Sequence, residues 1–162
     1  ILNNLKIESL THFGWHIIGI AFGTAAFAEG SHIASTAMLL GIGLPNFGMW
    51  LATVLKKDLY TEAERENGKS AIIMGLVDIT EGTIPFAVAD PSRVIPSIVV
   101  GTAVGAGVNG FFGSTHATML STFMAIPFTS NIVGYVISIL VGGLTTALMV
   151  NFLKGKAKKT VE

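Results

Sequence analysis

Glu81 is a carboxylate set inside an apolar chain. It lies in Asp78-Ile79-Thr80-Glu81-Gly82-Thr83-Ile84-Pro85-Phe86-Ala87, which also brings a second acid, hydroxyls, a glycine and a proline together. Pro85 lacks an N–H and pushes Ile84 toward extended geometry, while Gly82 permits backbone angles that other residues avoid. The stretch therefore predicts a break: a short helix in, a polar elbow, a short segment out. At membrane depth such a break survives only where protein buries it or water reaches it. Broken helices of this kind build transporter substrate sites, because freed backbone groups and polar side chains face the ligand. An ionised carboxylate at the bilayer centre costs about 2.5–3.5 kcal/mol on insertion scales, so a functional Glu81 is the default. The competing reading is a structural Glu paired with Arg93 or a neighbouring helix.

A second polar group lies in Gly113–Ser130, where Thr115, His116, Thr118, Ser121, Thr122 and Pro127 interrupt an apolar run. His116 can donate from one ring nitrogen and accept at the other. The other histidines are weaker candidates. His12 and His16, spaced i, i+4, share a helix face, but no nearby Asp, Glu or Cys completes a metal site. Asp90 and Arg93, spaced i, i+3 around Pro91, read as an ion pair at the hairpin exit. Trp15, Trp50 and Tyr60 read as packing or interface anchors. No P-loop, dinucleotide fingerprint or nucleophile elbow is present, so no catalytic residue, metal or cofactor is expected.

The elements that must hold these residues are membrane helices. The 162 residues are 51% hydrophobic and 12% charged, with a mean hydropathy of +0.66. Soluble domains carry about 25% charged residues, which places this chain in the membrane class. The net charge of zero gives no electrostatic argument for nucleic acid, and the absence of Cys excludes disulfides, thiolate metal sites and a cysteine nucleophile. Candidate spans are His12–Ala28, Ile33–Leu55 with an interruption at Pro45-Asn46, Val94–Phe112 and Ile132–Leu153. Gly101 and Gly105 have the small-x-x-x-small spacing that lets helix backbones approach. Lys56–Lys69 is the long hydrophilic loop, and Thr61 with Glu64 reads as a capping box opening a short helix. Lysines in that loop and in the tail, Lys154, Lys156, Lys158 and Lys159, favour the cytoplasmic side.

The two lysine-bearing segments must then share a side. His116–Phe128 is too short to cross as a helix. The crossings between the two segments balance only if the Glu81 segment does not cross either. The expected fold class is an all-α membrane protein with about four transmembrane helices and two re-entrant hairpins. The Glu81 hairpin enters from the cytoplasm and the His116 hairpin from outside. Residues 1–162 read as a single membrane domain, with 154–162 a basic cytoplasmic tail.

The motif residues also carry a resemblance. Ile79-Thr80-Glu81-Gly82-Thr83-Ile84-Pro85-Phe86-Ala87, followed by Ala89-Asp90-Pro91-Ser92-Arg93-Val94-Ile95-Pro96-Ser97, resembles the signature of the fructose-type membrane permease. This is the EIIC subunit of the bacterial phosphoenolpyruvate-dependent sugar phosphotransferase system. The likeness runs nearly unbroken from Tyr60, through the acidic loop, to Ser97. The family usually has glycine where this chain has Asp78, and Phe13-Gly14-Trp15-His16 replaces a polar, glycine-rich motif.

The resemblance implies a sugar permease that binds fructose or a related sugar. Phosphorylated EIIB would phosphorylate that sugar on the cytoplasmic side of the bacterial inner membrane. Glu81, Thr80, Gly82 and His116 would contact the sugar, while Asp90, Arg93 and Pro85 would fix the hairpin. A carboxylate suits sugar hydroxyls because charge-assisted hydrogen bonds are the stronger kind. Resembled permeases are about twice this length, so the resemblance implies a C-terminal part, a missing N-terminal half and a homodimer. Two other readings are an ion-coupled carrier, in which Glu81 and Asp78 carry protons or sodium, and a truncated remnant that does not transport.

Overall fold

The computed structural model describes residues 25, 28–30, 32–77, 79, 81–118, 120 and 122–161. Five helices account for most of them, and no strand occurs among the described residues. They are α1 (His32–Leu55), α2 (Glu62–Leu76), α3 (Ile84–Ala89), α4 (Pro91–Phe112) and α5 (Ile132–Val161). Three of them, α1, α4 and α5, are long and apolar enough to cross a membrane. The expected His12–Ala28 span falls almost wholly outside the described residues.

Packing of α1, α4 and α5 relies on missing side chains. Gly101 and Gly105 are buried, as their spacing predicts. A Cβ on Gly142 of α5 would lie 2.9 Å from the Gly101 carbonyl oxygen and 3.0 Å from the Gly105 Cα. Close backbone approach of this kind is how helices associate where lipid supplies no hydrophobic drive. Tyr135, Leu40 and Leu44 fill one part of the interior, and Met49, Phe86, Val94 and Val150 another.

Helix α2 runs antiparallel to the second half of α1. Its Gly68 packs on Thr53, and its Gly75 packs on Asn46. The predicted capping box opens it: the Thr61 hydroxyl accepts from the Glu64 N–H at 3.2 Å, and Glu64 Oε2 accepts from the Thr61 N–H at 2.8 Å. The chain then breaks where Gly82 and Pro85 predict. Helix α2 stops at Leu76, a single 3₁₀ turn covers Glu81–Thr83, and Pro85 sits in the first turn of α3. Helix α3 returns the chain to its starting end, because Asp90 shares a cleft with Tyr60, Thr61 and Lys154.

After α4, Gly113 takes a left-handed conformation (φ 61°) that only glycine adopts without strain. The described residues between 114 and 131 then form an irregular segment packed on α1 and α5, closed at its neck. The Ser130 N–H donates to the Thr115 carbonyl at 2.8 Å, and the Ser114 hydroxyl donates to the Asn131 carbonyl at 3.1 Å. The expected final span, Ile132–Leu153, is longer in the structure. Helix α5 continues through the lysines to Val161, because Lys154 is tied to the loop beside it.

Candidate functional site

The two polar breaks attach to the same helix. On the first, the Asn46 Nδ2 amide donates to the Ile79 carbonyl at 2.5 Å. Asn46 is fully buried, and a Cβ on Gly82 would lie 2.8 Å from its Oδ1 and from the Ala71 Cα. Only glycine fits that approach, so Gly82 lets the elbow press against α1 and α2. On the second, the Thr122 hydroxyl accepts from the Gly43 N–H at 2.8 Å and faces the Leu39 and Leu40 carbonyls at 3.3 and 3.1 Å. Gly43 is where the second break meets the last turn of α2. A Cβ there would lie 2.9 Å from the Thr122 Cβ and 3.0 Å from the Gly75 carbonyl oxygen.

Depth follows from helix geometry. Asn46 precedes the end of α1 at Leu55 by about 14 Å of rise, near the middle of a hydrocarbon core about 30 Å thick. The elbow therefore lies halfway along an apolar helix, with Glu81 exposed and Gly82 buried. Thr80 and Asp78 lie outside the described residues, as do His12, His16 and Trp15. Pro45, where the interruption is expected to kink the span, lies inside α1.

His116 is buried, with 3% of its surface exposed. Its N–H donates to the Thr36 hydroxyl at 3.2 Å, and its ring meets the Tyr135 ring edge-on at a centroid distance of 5.8 Å. Nδ1 lies 3.0 Å from the Thr118 carbonyl and 3.1 Å from the Thr118 hydroxyl, so its role as donor or acceptor follows the ring tautomer. Nε2 is buried with no hydrogen-bond partner among the described residues. Thr36 and Asn46 are separated by about 15 Å of helix rise. His116 is thus anchored well along α1 from the elbow, while Thr122 bonds to α1 within one turn of the elbow's anchor at Asn46.

Arg93 is taken by Asp90, with Nη1 2.9 Å from Oδ2, as the i, i+3 spacing predicts. The loop end of the bundle is tied more elaborately. Lys154 donates to Glu64 Oε1 at 2.6 Å and sits 4.3 Å from the Tyr60 ring centroid. The Tyr60 hydroxyl donates to Asn151 Oδ1 at 2.8 Å. Burial, then the Glu64 and Asp90 charges, push the Tyr60 hydroxyl well above its ordinary pKa. Partial burial pushes Glu64 up, but its bonds to Lys154 and Thr61 outweigh this and hold the carboxyl below the usual range. The hydrophilic loop and the start of the lysine tail thus share one end, as the charge argument predicts. A cleft of about 400 Å³ at this end is lined by Asp58, Tyr60, Asp90, Arg93 and Lys154, and by none of Glu81, Gly82 and His116.

Comparison with known proteins returns consistent relatives. Over 142 residues the chain is 39% identical to the "Fructose-like permease IIC component 2" of Escherichia coli (strain K12), covering 88% of this chain and 40% of that protein. It is 34% identical to the "Fructose permease IIC component" of Bacillus amyloliquefaciens, covering 82% of this chain and 43% of that protein. It is 36% identical to the "PTS system fructose-specific EIIABC component" of Bacillus subtilis (strain 168), covering 82% of this chain and 21% of that protein. The chain belongs to the fructose-type EIIC permease family. The resemblance carried by the elbow motif is borne out, and with three apolar helices this EIIC chain is a membrane protein. It spans less than half the length of these relatives. No family model matches it, and no solved structure does.

Two residues of this EIIC chain escaped the sequence reading. Asn46 read only as part of an interruption, and Thr122 as one hydroxyl among several. The available signal was an amide in the middle of an apolar span, where polar side chains carry a default of function.

Proposed function

We propose that this chain is the sugar-holding, C-terminal part of a permease that takes fructose or a related sugar across the bacterial inner membrane. Phosphorylated EIIB then phosphorylates the sugar at the cytoplasmic face. The observation that carries this reading is that two polar breaks bond to one membrane-length helix within a turn of each other, at Gly43 and Asn46 near its middle. Freed backbone and polar groups at that depth are what a hydrophilic solute requires. In this reading the chain is one membrane domain, with four crossings and two re-entrant hairpins. The hairpins are α2–elbow–α3 and residues 114–131, and the 154–162 tail is cytoplasmic. Glu81, Thr80, Gly82 and His116 face the sugar, and Asp90, Arg93 and Pro85 hold the exit of the first hairpin. A scaffold half, a second copy and EIIB complete the machine. The EIIABC composition of the Bacillus subtilis relative supports EIIB as the phosphoryl donor. The same relatives give no support to an ion-coupled carrier or a non-transporting remnant.

Glu81→Gln in the complete permease tests the site. Gln keeps one acceptor oxygen and replaces the other with a donor, so one sugar hydroxyl meets a mismatched partner. The remaining bonds lose charge assistance, for a combined loss of at least ~2 kcal/mol, about thirtyfold in affinity. Sugar affinity is read on purified, folded variant. Wild-type affinity in Glu81→Gln overturns the assignment.

A further inference from the structure

We propose that Asn46 is a positioning residue for this site, setting the place of Glu81 by holding the elbow from α1. The inference rests on the sugar-site reading of Glu81. Asn46 is wedged between two glycines of the hairpin. Gly75 lies beside its Cβ and Gly82 beside its Oδ1. Its Nδ2 donates to the Ile79 carbonyl, two residues before Glu81, and this bond fixes which way the amide faces. The carbonyl belongs to backbone that no helix satisfies, since α2 ends at Leu76 and the 3₁₀ turn starts at Glu81. One amide therefore ties the elbow to the membrane-length helix.

The Asn46 amide carries a cost and a return. Its Oδ1 is buried with no hydrogen-bond partner among the described residues, while its Nδ2 satisfies the Ile79 carbonyl. An apolar side chain of the same volume would remove the first group but leave that carbonyl without its donor. It would also release the grip that fixes where Glu81 begins its turn.

A double-mutant cycle in the complete permease tests this. Fructose affinity and melting temperature are measured for wild type, Asn46→Ala, Glu81→Gln and the double variant. Loss of the Ile79 bond is expected to weaken binding about tenfold in the wild-type background. In the Glu81→Gln background the same change should cost about twofold or less, because contacting residues couple and independent ones add. Equal losses in both backgrounds, or no loss with Asn46→Ala, overturn the positioning role while leaving Glu81 as a sugar contact. Unchanged affinity with Glu81→Gln alone overturns the underlying site reading instead. If Asn46→Ala does not accumulate as folded protein, Asn46→Ser carries the same readout. It keeps a small polar side chain in the seam but is too short to reach Ile79.

Discussion

Alanine at Gly82 places a methyl group where there is no room. A Cβ there would lie 2.8 Å from the Ala71 Cα, 2.8 Å from Asn46 Oδ1 and 3.1 Å from the Ala71 Cβ. Carbon atoms settle at about 3.5–4.0 Å, so the nearest carbon contact is too close by roughly 0.7–1.2 Å. Rotating a side chain gives no relief, because the obstructing atom is the backbone of α2. The elbow must move off the α1–α2 seam, and overpacking of this kind costs about 1–3 kcal/mol. In a protein of this size each kcal/mol shifts the melting midpoint by about 2–4 °C, so Gly82→Ala should melt roughly 2–12 °C lower. Gly155 supplies the opposite sign. A Cβ there meets only the Leu59 Cδ1 at 4.0 Å, an ordinary contact. Alanine inside a helix is favoured over glycine by about 0.5–1 kcal/mol, so Gly155→Ala should melt slightly higher. Thermal unfolding of both purified variants beside wild type is the assay. A Gly82→Ala protein as stable as Gly155→Ala would refute the close approach of elbow and helix.

Two further outcomes follow from geometry. Glu64 is held below its ordinary pKa by Lys154 and Thr61, so its contribution is fully present above about pH 4.3 and is lost as pH falls through the lowered value. Glu64→Gln should therefore cost about 1.5–3 kcal/mol near neutral pH. The gap to wild type should narrow as pH falls below about 4.3 and close below the lowered value in thermal melts across pH, and a gap independent of pH would contradict the ion pair. His116→Ala removes the unpartnered Nε2, and if it faces the sugar as proposed, loss of one buried hydrogen bond should weaken binding by about 1–3 kcal/mol. Unchanged affinity beside a lowered melting temperature would make His116 a packing residue on Tyr135.

The breaks were legible because their causes are local. Gly82 and Pro85 act through their own backbone angles, and the Thr61–Glu64 box closes over three residues. Gly101 and Gly105 announced a packed face by spacing alone. What the sequence hid is what each break touches. Asn46 reaches Ile79 across 33 positions, His116 reaches Thr36 across 80, and Lys154 reaches Glu64 across 90. No periodicity encodes such pairings. The unbroken α5 shows the effect: four lysines read as a tail, yet a charge partner, a hydrogen-bonded Asn151 and the Tyr60 ring hold the start of that segment as helix.

Helix α1 looks unsuited to its position, since it carries a proline and buries an asparagine at mid-depth. Pro45 has no N–H, so the Gly41 carbonyl lacks its helical donor. One turn earlier, the Thr122 hydroxyl takes the Gly43 N–H and faces the Leu39 and Leu40 carbonyls, entering the hydrogen-bond ladder of the helix. Thr122 does this from a left-handed backbone (φ 29°), a conformation that costs a β-branched residue about 1–3 kcal/mol unless its surroundings compensate. Three hydrogen-bond contacts to α1 are that compensation. Lipid could not satisfy these backbone groups, and an ordinary helix would not expose them. The polar lining of the site is thus shared. Each break has its own local cause, and the second also hydrogen-bonds to the backbone of the helix on which both rest, within one turn of the Asn46 grip on the Glu81 elbow.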